Sequence, residues 1–498
     1  MSSHLLPEKL VNRLTPQRRR WLILALVGLY WGAIYLIFAA VFLVAFFQIG
    51  SGQPENWAKA AILILAGGAI LWIGMPMPGS TAITGAYLPP AQQPTLHQVV
   101  TQVASGLKEP VPGKIVLVLD ADLYVTESSL FSPWLTQRNL IIGLLLMQTL
   151  GPQHIQALIA AELSALSYSQ DRVRAWIYRH WRWVMFESRH QRLLWQRLTL
   201  FRWYGRLLAS LVAPLIRAHQ LEADQRAASW AGSNILATAL RSRSGTMAAY
   251  RAFLEHEFLP VVNAGFKPPI LEGFARFLNS EMVQGAVQQV IFSESNRNQP
   301  ALFEPVPPLG WRLQGIQGIA EKMDDDASGS ALRFLTNVQV LESDLLRQMF
   351  KPKVVKEWKP IDWEQTGVKV FLPIWQRTLK NYAATLNGVL AEDLAEFLFS
   401  PDRLWVEVKR MSPIPLTKQE LRESVLRVTA IALTIALVRN GWQVEVPLGQ
   451  AISLRRGEEM VRPFELLTNL AAGKIDSFSW RRFTRQAGIA SCDLGRLI

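Results

Sequence analysis

The feature that most constrains this chain is an uncharged stretch near its N-terminus, residues 21–49. A helix crosses the hydrocarbon core of a bilayer with about 20 apolar residues, so this stretch is long enough to span a membrane. A second uncharged run follows at residues 60–77. A secretory signal is the alternative interpretation, but its apolar region is only about 7–15 residues long. We therefore predict two transmembrane helices, near residues 21–49 and 58–77, that form a hairpin.

Basic residues around these spans predict the orientation of the chain. Residues 1–20 contain a cluster of Lys and Arg, whereas the link between the spans has neither before Lys59. Positive residues favour the cytoplasmic side of a membrane, so residues 1–20 should form a basic cytoplasmic N-terminus. Because two spans return the chain to its starting side, we expect an integral membrane protein whose large domain faces the cytoplasm.

Length and composition limit the remaining possibilities. A chain of 498 residues is too long for one compact core, and we expect a soluble domain at residues 78–320 and a C-terminal module at residues 321–498. The formal net charge of +13 suits an anionic partner, either nucleic acid or a lipid surface. The only cysteine is Cys492, which excludes a disulfide within one chain and a cysteine-based zinc site.

Hydrophobic periodicity predicts a mainly α-helical fold with a small β-sheet, of the α+β class. In the soluble domain a helix at residues 95–107 should precede three strands, and the second strand is expected to be the hairpin partner of the first. These strands are residues 114–119, 123–126 and 139–142, and a helix follows at residues 154–167.

The C-terminal module should combine helices with a few short strands. Residues 331–400 are amphipathic with helical periodicity. Thr417 and Glu420 predict a capping box for a helix that ends near Arg439, and its apolar stretch is too short to span a bilayer. Two short strands, residues 443–446 and 451–454, and two helices complete the module, which offers no catalytic constellation.

Five segments between residues 94 and 312 carry a family resemblance. In chain order they are PTLHQVVTQVASGLKEPVPGKIVLVLDADLYV, NLIIGLLLMQTL, HIQALIAAELSAL, HQLEADQRAA and EPVPPLGWR. On these segments the chain resembles the HtpX-like family of membrane zinc metallopeptidases, relatives of the CAAX prenyl endoprotease. The resemblance implies a gluzincin-like metallopeptidase domain, in which an HExxH helix supplies two zinc ligands and the general base.

The positions that match the family's functional residues do not carry its zinc ligands. Those positions are Ala161, Glu162, Ala165, Gln220, Asp224, Val306 and Arg312. Ala161 and Ala165 stand at the two His of a degenerate HExxH motif, and Gln220 stands at the third ligand, a Glu. Glu162 retains the general-base position and Asp224 retains an aspartate that supports the ligands. Because a catalytic zinc needs about three protein ligands, the resemblance predicts no zinc, no other cofactor and no proteolytic activity.

An active zinc metalloendopeptidase with rearranged ligands is the alternative. The seven His show no HxxxH or HxH pair, and His154 and His219 are the ones nearest to the degenerate motif and to Gln220. Asp324, Asp325 and Asp326 form a carboxylate run that is more typical of a solvated loop than of a cation site. We expect Glu162 to be solvated or paired with a cation such as Arg312, because a buried unpaired carboxylate is too costly.

Residues 171–206 are rich in Arg and Trp and precede an apolar run, residues 207–216, that is too short to span a bilayer. We predict that this Arg/Trp stretch lies at a membrane interface and contacts lipid, since the chain is already tethered there. Nucleic-acid binding and a solvated helical face are the alternatives. The predicted interface residues are Arg172, Arg174, Trp176, Arg179, Trp181, Arg182, Trp183, Arg189, Arg192, Trp195, Arg197, Arg202, Trp203 and Arg206.

Three functions follow as hypotheses. The first is a membrane-anchored pseudoenzyme, zinc-free and inactive, that binds or regulates membrane proteins, peptide clients or a peptidase partner. The second is an active membrane zinc metalloendopeptidase. The third is a lipid- or nucleic-acid-associated protein that acts through the Arg/Trp stretch, with lipid favoured over nucleic acid.

Overall fold

The computed structural model describes residues 16–497, except 51, 75–83, 128–136, 167–176, 179, 182–183, 185–198, 298, 301–303, 324–328, 351–357, 400 and 413–414. The first helices are α1 (Pro16–Gly50), α2 (Pro54–Gly74), α3 (Pro94–Leu107), α4 (Leu144–Thr149), α5 (Pro152–Ala165), α6 (Thr199–Ala231), α7 (Ser233–Phe253), α8 (Leu259–Asn263), α9 (Ile270–Leu278) and α10 (Glu281–Asn296). The later helices are α11 (Leu309–Gly315), α12 (Val338–Met349), α13 (Leu372–Lys380), α14 (Ala383–Leu386), α15 (Leu394–Phe399), α16 (Asp402–Met411), α17 (Lys418–Arg439), α18 (Pro463–Ala471) and α19 (Ser477–Ala487).

Short strands and single helical turns complete the described chain. The strands are β1 (Ala86–Tyr87), β2 (Lys114–Val118), β3 (Leu123–Glu127), β4 (Arg138–Gly143), β5 (Phe266–Lys267), β6 (Lys359–Pro360), β7 (Gln443–Glu445), β8 (Ser453–Arg456) and β9 (Glu459–Val461). Single turns of 3-10 or π-helix lie at Leu254–Phe258, Ala331–Phe334, Trp363–Gln365, Gly367–Phe371, Ala391–Asp393 and Leu494–Arg496. The chain is therefore mainly helical with small sheets, as the sequence predicts.

The chain divides into two compact units that do not follow chain order. The first unit comprises residues 1–247 and 289–349, and the second comprises residues 248–288 and 350–498. The boundary predicted at residue 320 falls inside the first unit. In the second unit, the strand pair of β5 with β6 joins its two segments.

The sheet of the first unit has the strand order β1-β2-β4-β3. β2 pairs with β4 in parallel, while β3 pairs with β4 antiparallel. The expectation that residues 123–126 form a hairpin with β2 is therefore wrong. β2 is buried almost throughout, and a buried central strand needs a neighbour on each side, which β1 and β4 provide. β3 is left as an edge strand within the described part of the sheet.

Helix α5 carries the degenerate motif and packs between α3, α6 and the strand β3. It starts at Pro152, and proline is favoured in the first turn because it lacks a backbone N–H that would otherwise be unsatisfied. Nearly all of its residues are buried, among them Ile155, Leu158 and Ile159. A buried, Ala- and Leu-rich helix fixes the positions of the side chains that it presents to its neighbours.

Helix α1 is, within the described residues, the one helix long and apolar enough to span a membrane. Helix α2 returns along it, so that Gly67 lies against Phe38 and Val41. The two helices thus pack side by side near the N-terminus.

The second unit is built around α17, whose middle is buried from Thr429 to Leu437. The capping box predicted at its start is present, because Thr417 accepts from the backbone N–H of Glu420 and the Glu420 side chain accepts from that of Thr417. The three-stranded sheet β7-β8-β9 contains one strand, β9, that the sequence analysis did not anticipate.

Candidate functional site

Two of the three positions that match the resembling family's zinc ligands, Ala165 and Gln220, line one cavity in the first unit, whereas Ala161, the third, is buried outside the cavity lining. This cavity has a volume of about 160 Å³, and Glu162, Ala165, Gln220 and Val306 all line it. Helix α5 supplies the first two and α6 supplies the third. Val125 of the edge strand β3 also lines the cavity. Residues far apart in the sequence are therefore brought together around a pocket beside a sheet edge.

The cavity wall contains few groups that could bind a metal. Ala161 is fully buried and, like Ala165, presents only a methyl group. The Gln220 side chain donates an amide hydrogen to Asp224 Oδ1 at 3.3 Å, and an amide is a poor substitute for a carboxylate ligand. Val306 is about half exposed and presents an aliphatic side chain, which cannot bind a metal, to the cavity.

His219 is the one histidine among the described residues that line the cavity. His219 lines the cavity together with Tyr178, and its Nδ1 lies 2.7 Å from the Tyr178 hydroxyl. His154 is buried near the start of α5, outside the cavity lining. Among the residues that the structure describes, no three His, Cys, Asp or Glu side chains are grouped to hold a metal ion. The side chains present do not fit a catalytic zinc, which needs about three imidazole, thiolate or carboxylate ligands.

Asp224 belongs to a buried ion pair behind the cavity. Its carboxylate has no exposed surface and accepts two hydrogen bonds from Arg312, at 2.7 and 2.8 Å. Such two-pronged pairing suits the planar guanidinium and fixes both side chains. Arg312 is on α11, which begins shortly after Val306, and Asp224 is on α6, which carries Gln220, so this pair joins α11 to α6 close to the cavity.

Glu162 is paired, but its partner is Arg243 and not Arg312. Arg243 Nη1 donates to Glu162 Oε1 at 2.8 Å, while Nε and Nη2 approach Asp122 Oδ1 at 2.7 and 2.6 Å. The three side chains retain only 14–22% of their exposure. The guanidinium thus connects the β2–β3 turn, α5 and α7, and we call these residues the Arg243 triad.

The electrostatics of the triad are those of a stable ion pair. Burial acts to lower the pKa of Arg243, but attraction to Glu162 and then to Asp122, with hydrogen bonds to both, outweighs it and raises the pKa. Arg243 is therefore permanently charged, and one Glu162 oxygen is occupied by its N–H.

Most of the predicted interface residues lie outside the described residues or have side chains that are not described. Trp203 and Arg206 are on α6 and exposed, whereas Trp181 is half-buried and lines the cavity. Arg202 lies within α6, and Asp324–Asp326 fall outside the described residues. Neither Arg243 nor Tyr178 was anticipated, since each meets its partner across a long sequence separation.

The comparisons with known proteins add no family to this description. No protein-family model, curated protein or solved structure matches the chain significantly.

Proposed function

We propose that this chain is a membrane-anchored, metallopeptidase-like protein, zinc-free and proteolytically inactive, that binds membrane proteins, peptide clients or a peptidase partner. One observation carries the proposal. Two of the three positions that would hold zinc in the resembling family, Ala165 and Gln220, line a single cavity together with Val306, and none of these three side chains is an imidazole, a thiolate or a carboxylate. The general-base carboxylate is paired with Arg243.

Binding needs no metal in this arrangement. An edge strand offers unpaired backbone groups to which an extended peptide can add as a further strand, and a neighbouring pocket can accept one of its side chains. β3 is such an edge, and its residue Val125 lines the cavity. The largely hydrocarbon wall around Ala165 and Val306 favours an apolar client side chain.

Membrane attachment belongs to the same proposal. Helix α1 would cross the bilayer and α2 would return, leaving the N-terminus and the large domain in the cytoplasm, in accord with the basic residues 1–20. Exposed Trp203 and Arg206 support lipid contact by α6, because Trp and Arg are enriched where protein meets headgroups.

Metal content of the purified full-length chain tests the inactive state. We expect much less than one zinc per chain after exposure to zinc and gel filtration. One tightly held zinc per chain, with chelator-sensitive cleavage of a membrane protein that is lost in Glu162→Gln, would establish the active peptidase instead.

Client binding is tested by filling the cavity. Ala165→Phe places a ring where the pocket now is, whereas Ala165→Ser keeps the pocket nearly unchanged and serves as the matched control. Chemical crosslinking in native membranes should yield client adducts with wild type and Ala165→Ser and markedly fewer with Ala165→Phe. Equal adducts from all three proteins would refute binding at this cavity.

Lipid and nucleic acid are separated by two binding assays. Vesicle flotation with and without anionic lipid should show stronger association with anionic vesicles, and Arg206→Gln should reduce that difference. Retention of DNA at matched salt that exceeds vesicle binding would favour the nucleic-acid alternative.

A further inference from the structure

Helix α1 is longer than a bilayer is thick. Its 35 residues extend about 52 Å at 1.5 Å per residue, whereas the hydrocarbon core measures about 30 Å. Burying the whole helix would need a tilt of about 55°, outside the usual range of about 0–40°. Part of α1 must therefore lie outside the hydrocarbon core.

The position of α2 shows which part of α1 is paired with α2. Gly67 of α2 lies against Phe38 and Val41, and an added Cβ there would be 3.3 Å from Val41. Gly74, the last residue of α2, comes seven residues after Gly67. Counting back seven residues from Phe38 in α1 gives Trp31. Since the two helices run in opposite directions, the described part of α2 accompanies α1 from about Trp31 to Gly50. That segment is about 30 Å long, which equals the hydrocarbon thickness.

The first part of α1 is covered by protein instead. Ile23 and Val27 are fully buried in a cluster with Leu208, Leu211 and Val212 of α6. No lipid can reach that face of α1, because α6 occupies it.

An aromatic cluster marks the point where this packing ends. The ring of Tyr30 stacks on Tyr204 at 4.9 Å, and Trp31 lies 6.2 Å from the ring of His180. His180 Nε2 is 2.7 Å from the Tyr204 hydroxyl. Trp and Tyr concentrate at the level of lipid headgroups, where one end of the side chain is apolar and the other is polar.

We propose that the cytoplasmic surface of the bilayer lies at Tyr30 and Trp31, so that residues 16–29 form a stalk outside the membrane and packed on α6. This inference rests on the membrane anchoring of the proposed function. Anionic headgroups then contact Trp203 and Arg206, which are exposed on α6 beside Tyr204.

The stalk sets the distance from the bilayer to the cavity. About 15 residues of α6 separate Tyr204 from His219, so the cavity lies at most about 22 Å from the membrane surface. An extended peptide crosses 22 Å with about seven residues. The client class is therefore an extended juxtamembrane segment within about seven residues of the end of a transmembrane helix.

Cysteine accessibility tests the depth of α1. In full-length Cys492→Ser protein, Leu22→Cys, Leu36→Cys and Leu43→Cys each replace a leucine that is exposed in the folded chain. The proteins are reconstituted in vesicles of neutral and anionic lipid, with a membrane-impermeant maleimide on both sides. We expect Leu22→Cys to react at least tenfold faster than the other two, and all three to react alike after detergent is added.

The possible outcomes separate the two proposals. If Leu22→Cys is protected as strongly as Leu36→Cys, the bilayer begins near Trp21 and the stalk is refuted while the anchor stands. If all three react equally in vesicles, the anchor itself fails. Fast reaction of Leu36→Cys alongside a protected Leu43→Cys would also refute the stated depth.

The predicted class of client is tested by placing a photoreactive phenylalanine at Val306, which lines the cavity and is partly exposed. Crosslinked client peptides should map within about seven residues of a transmembrane end. Crosslinks confined to distant loops would refute the client class. The absence of any membrane-protein crosslink would count against client binding, and the maleimide result would still decide the depth.

Discussion

Replacement of Arg243 by methionine should destabilise the first unit more than any surface charge change. Methionine keeps much of the volume and removes the guanidinium, so Glu162 and Asp122 lose their cation while remaining largely buried. Removing one partner of a fully buried ion pair costs about 3–5 kcal/mol, and an exposed pair contributes about 0–1 kcal/mol. With side chains 14–22% exposed, an intermediate loss of about 2 kcal/mol is expected.

A thermal unfolding assay in detergent measures this loss. The first unit comprises about 300 residues, and for that size a loss of about 2 kcal/mol corresponds to a fall in Tm of about 3 °C. Arg241→Met is the matched control, since Arg241 is on the same helix and exposed, and it should change Tm by less than about 1 °C. Arg243→Lys keeps the charge but offers fewer directed N–H groups, so its Tm should lie between those of wild type and Arg243→Met.

Two results would refute the reasoning. One is an Arg243→Met protein that is no less stable than Arg241→Met. The other is an undiminished effect of Arg243→Met when Asp122→Asn and Glu162→Gln are already present, because the loss would then come from packing and not from the triad. With the carboxylates neutralised, we expect the cost of Arg243→Met to fall by at least half.

The remaining predictions concern pH, close packing and capping. Burial lowers the pKa of His180 to about 4, against about 6.5 when unfolded, so stability should fall as pH drops from about 6.5 to 4, and His180→Gln should flatten that part of a Tm–pH profile. Gly143→Ala would force a methyl group against the carbonyl oxygen of Asp120 and should lower Tm by several degrees, whereas Gly329→Ala, with open space around it, should leave Tm within about 2 °C. Thr417→Ala removes the cap of α17 and should cost the second unit about 1 kcal/mol in a urea titration.

Local sequence patterns predict a helix or strand correctly where the residues of that segment alone are enough to specify it. The capping residues Thr417 and Glu420 are adjacent in sequence to the helix that they begin, and the structure contains this helix with the expected capping box. The strand at residues 139–142 was likewise anticipated from its β-branched, apolar composition.

Strand pairing and packing between elements that are far apart in the sequence cannot be predicted from such patterns. Alternation identifies β2 and β3 as strands but does not say which strand each one pairs with, and the assumption that neighbours form a hairpin was wrong. For the same reason, residues 248–288 carry no signal that they join residues 350–498. Helical periodicity specifies a face, while the neighbour of that face is decided by tertiary packing.

In the candidate site too, some features were predicted from the sequence and others depend on the fold. Its positions were located by resemblance, and the structure gathers Glu162, Ala165 and Gln220 at one cavity. The cation that pairs with Glu162 was anticipated as a chemical need, because an unpaired buried carboxylate is costly. Its identity was not, since both Arg312 and Arg243 could satisfy that need and only the fold places Arg243 beside Glu162.

This pairing explains how Glu162 is tolerated in a pocket without zinc ligands. A carboxylate next to methyl groups and a neutral amide would otherwise be a largely buried negative charge, which folding disfavours by several kcal/mol. Arg243 offsets that charge and also holds Asp122, so the cation is shared between two carboxylates in one fixed geometry. The acid at position 162 therefore has a structural reason to remain, and its presence alone is no argument for peptidase activity. Since the triad holds the β2–β3 turn, which leads into β3, against α5 and α7, the charges that neutralise Glu162 also stabilise the sheet edge to which a client strand would bind under the proposed function.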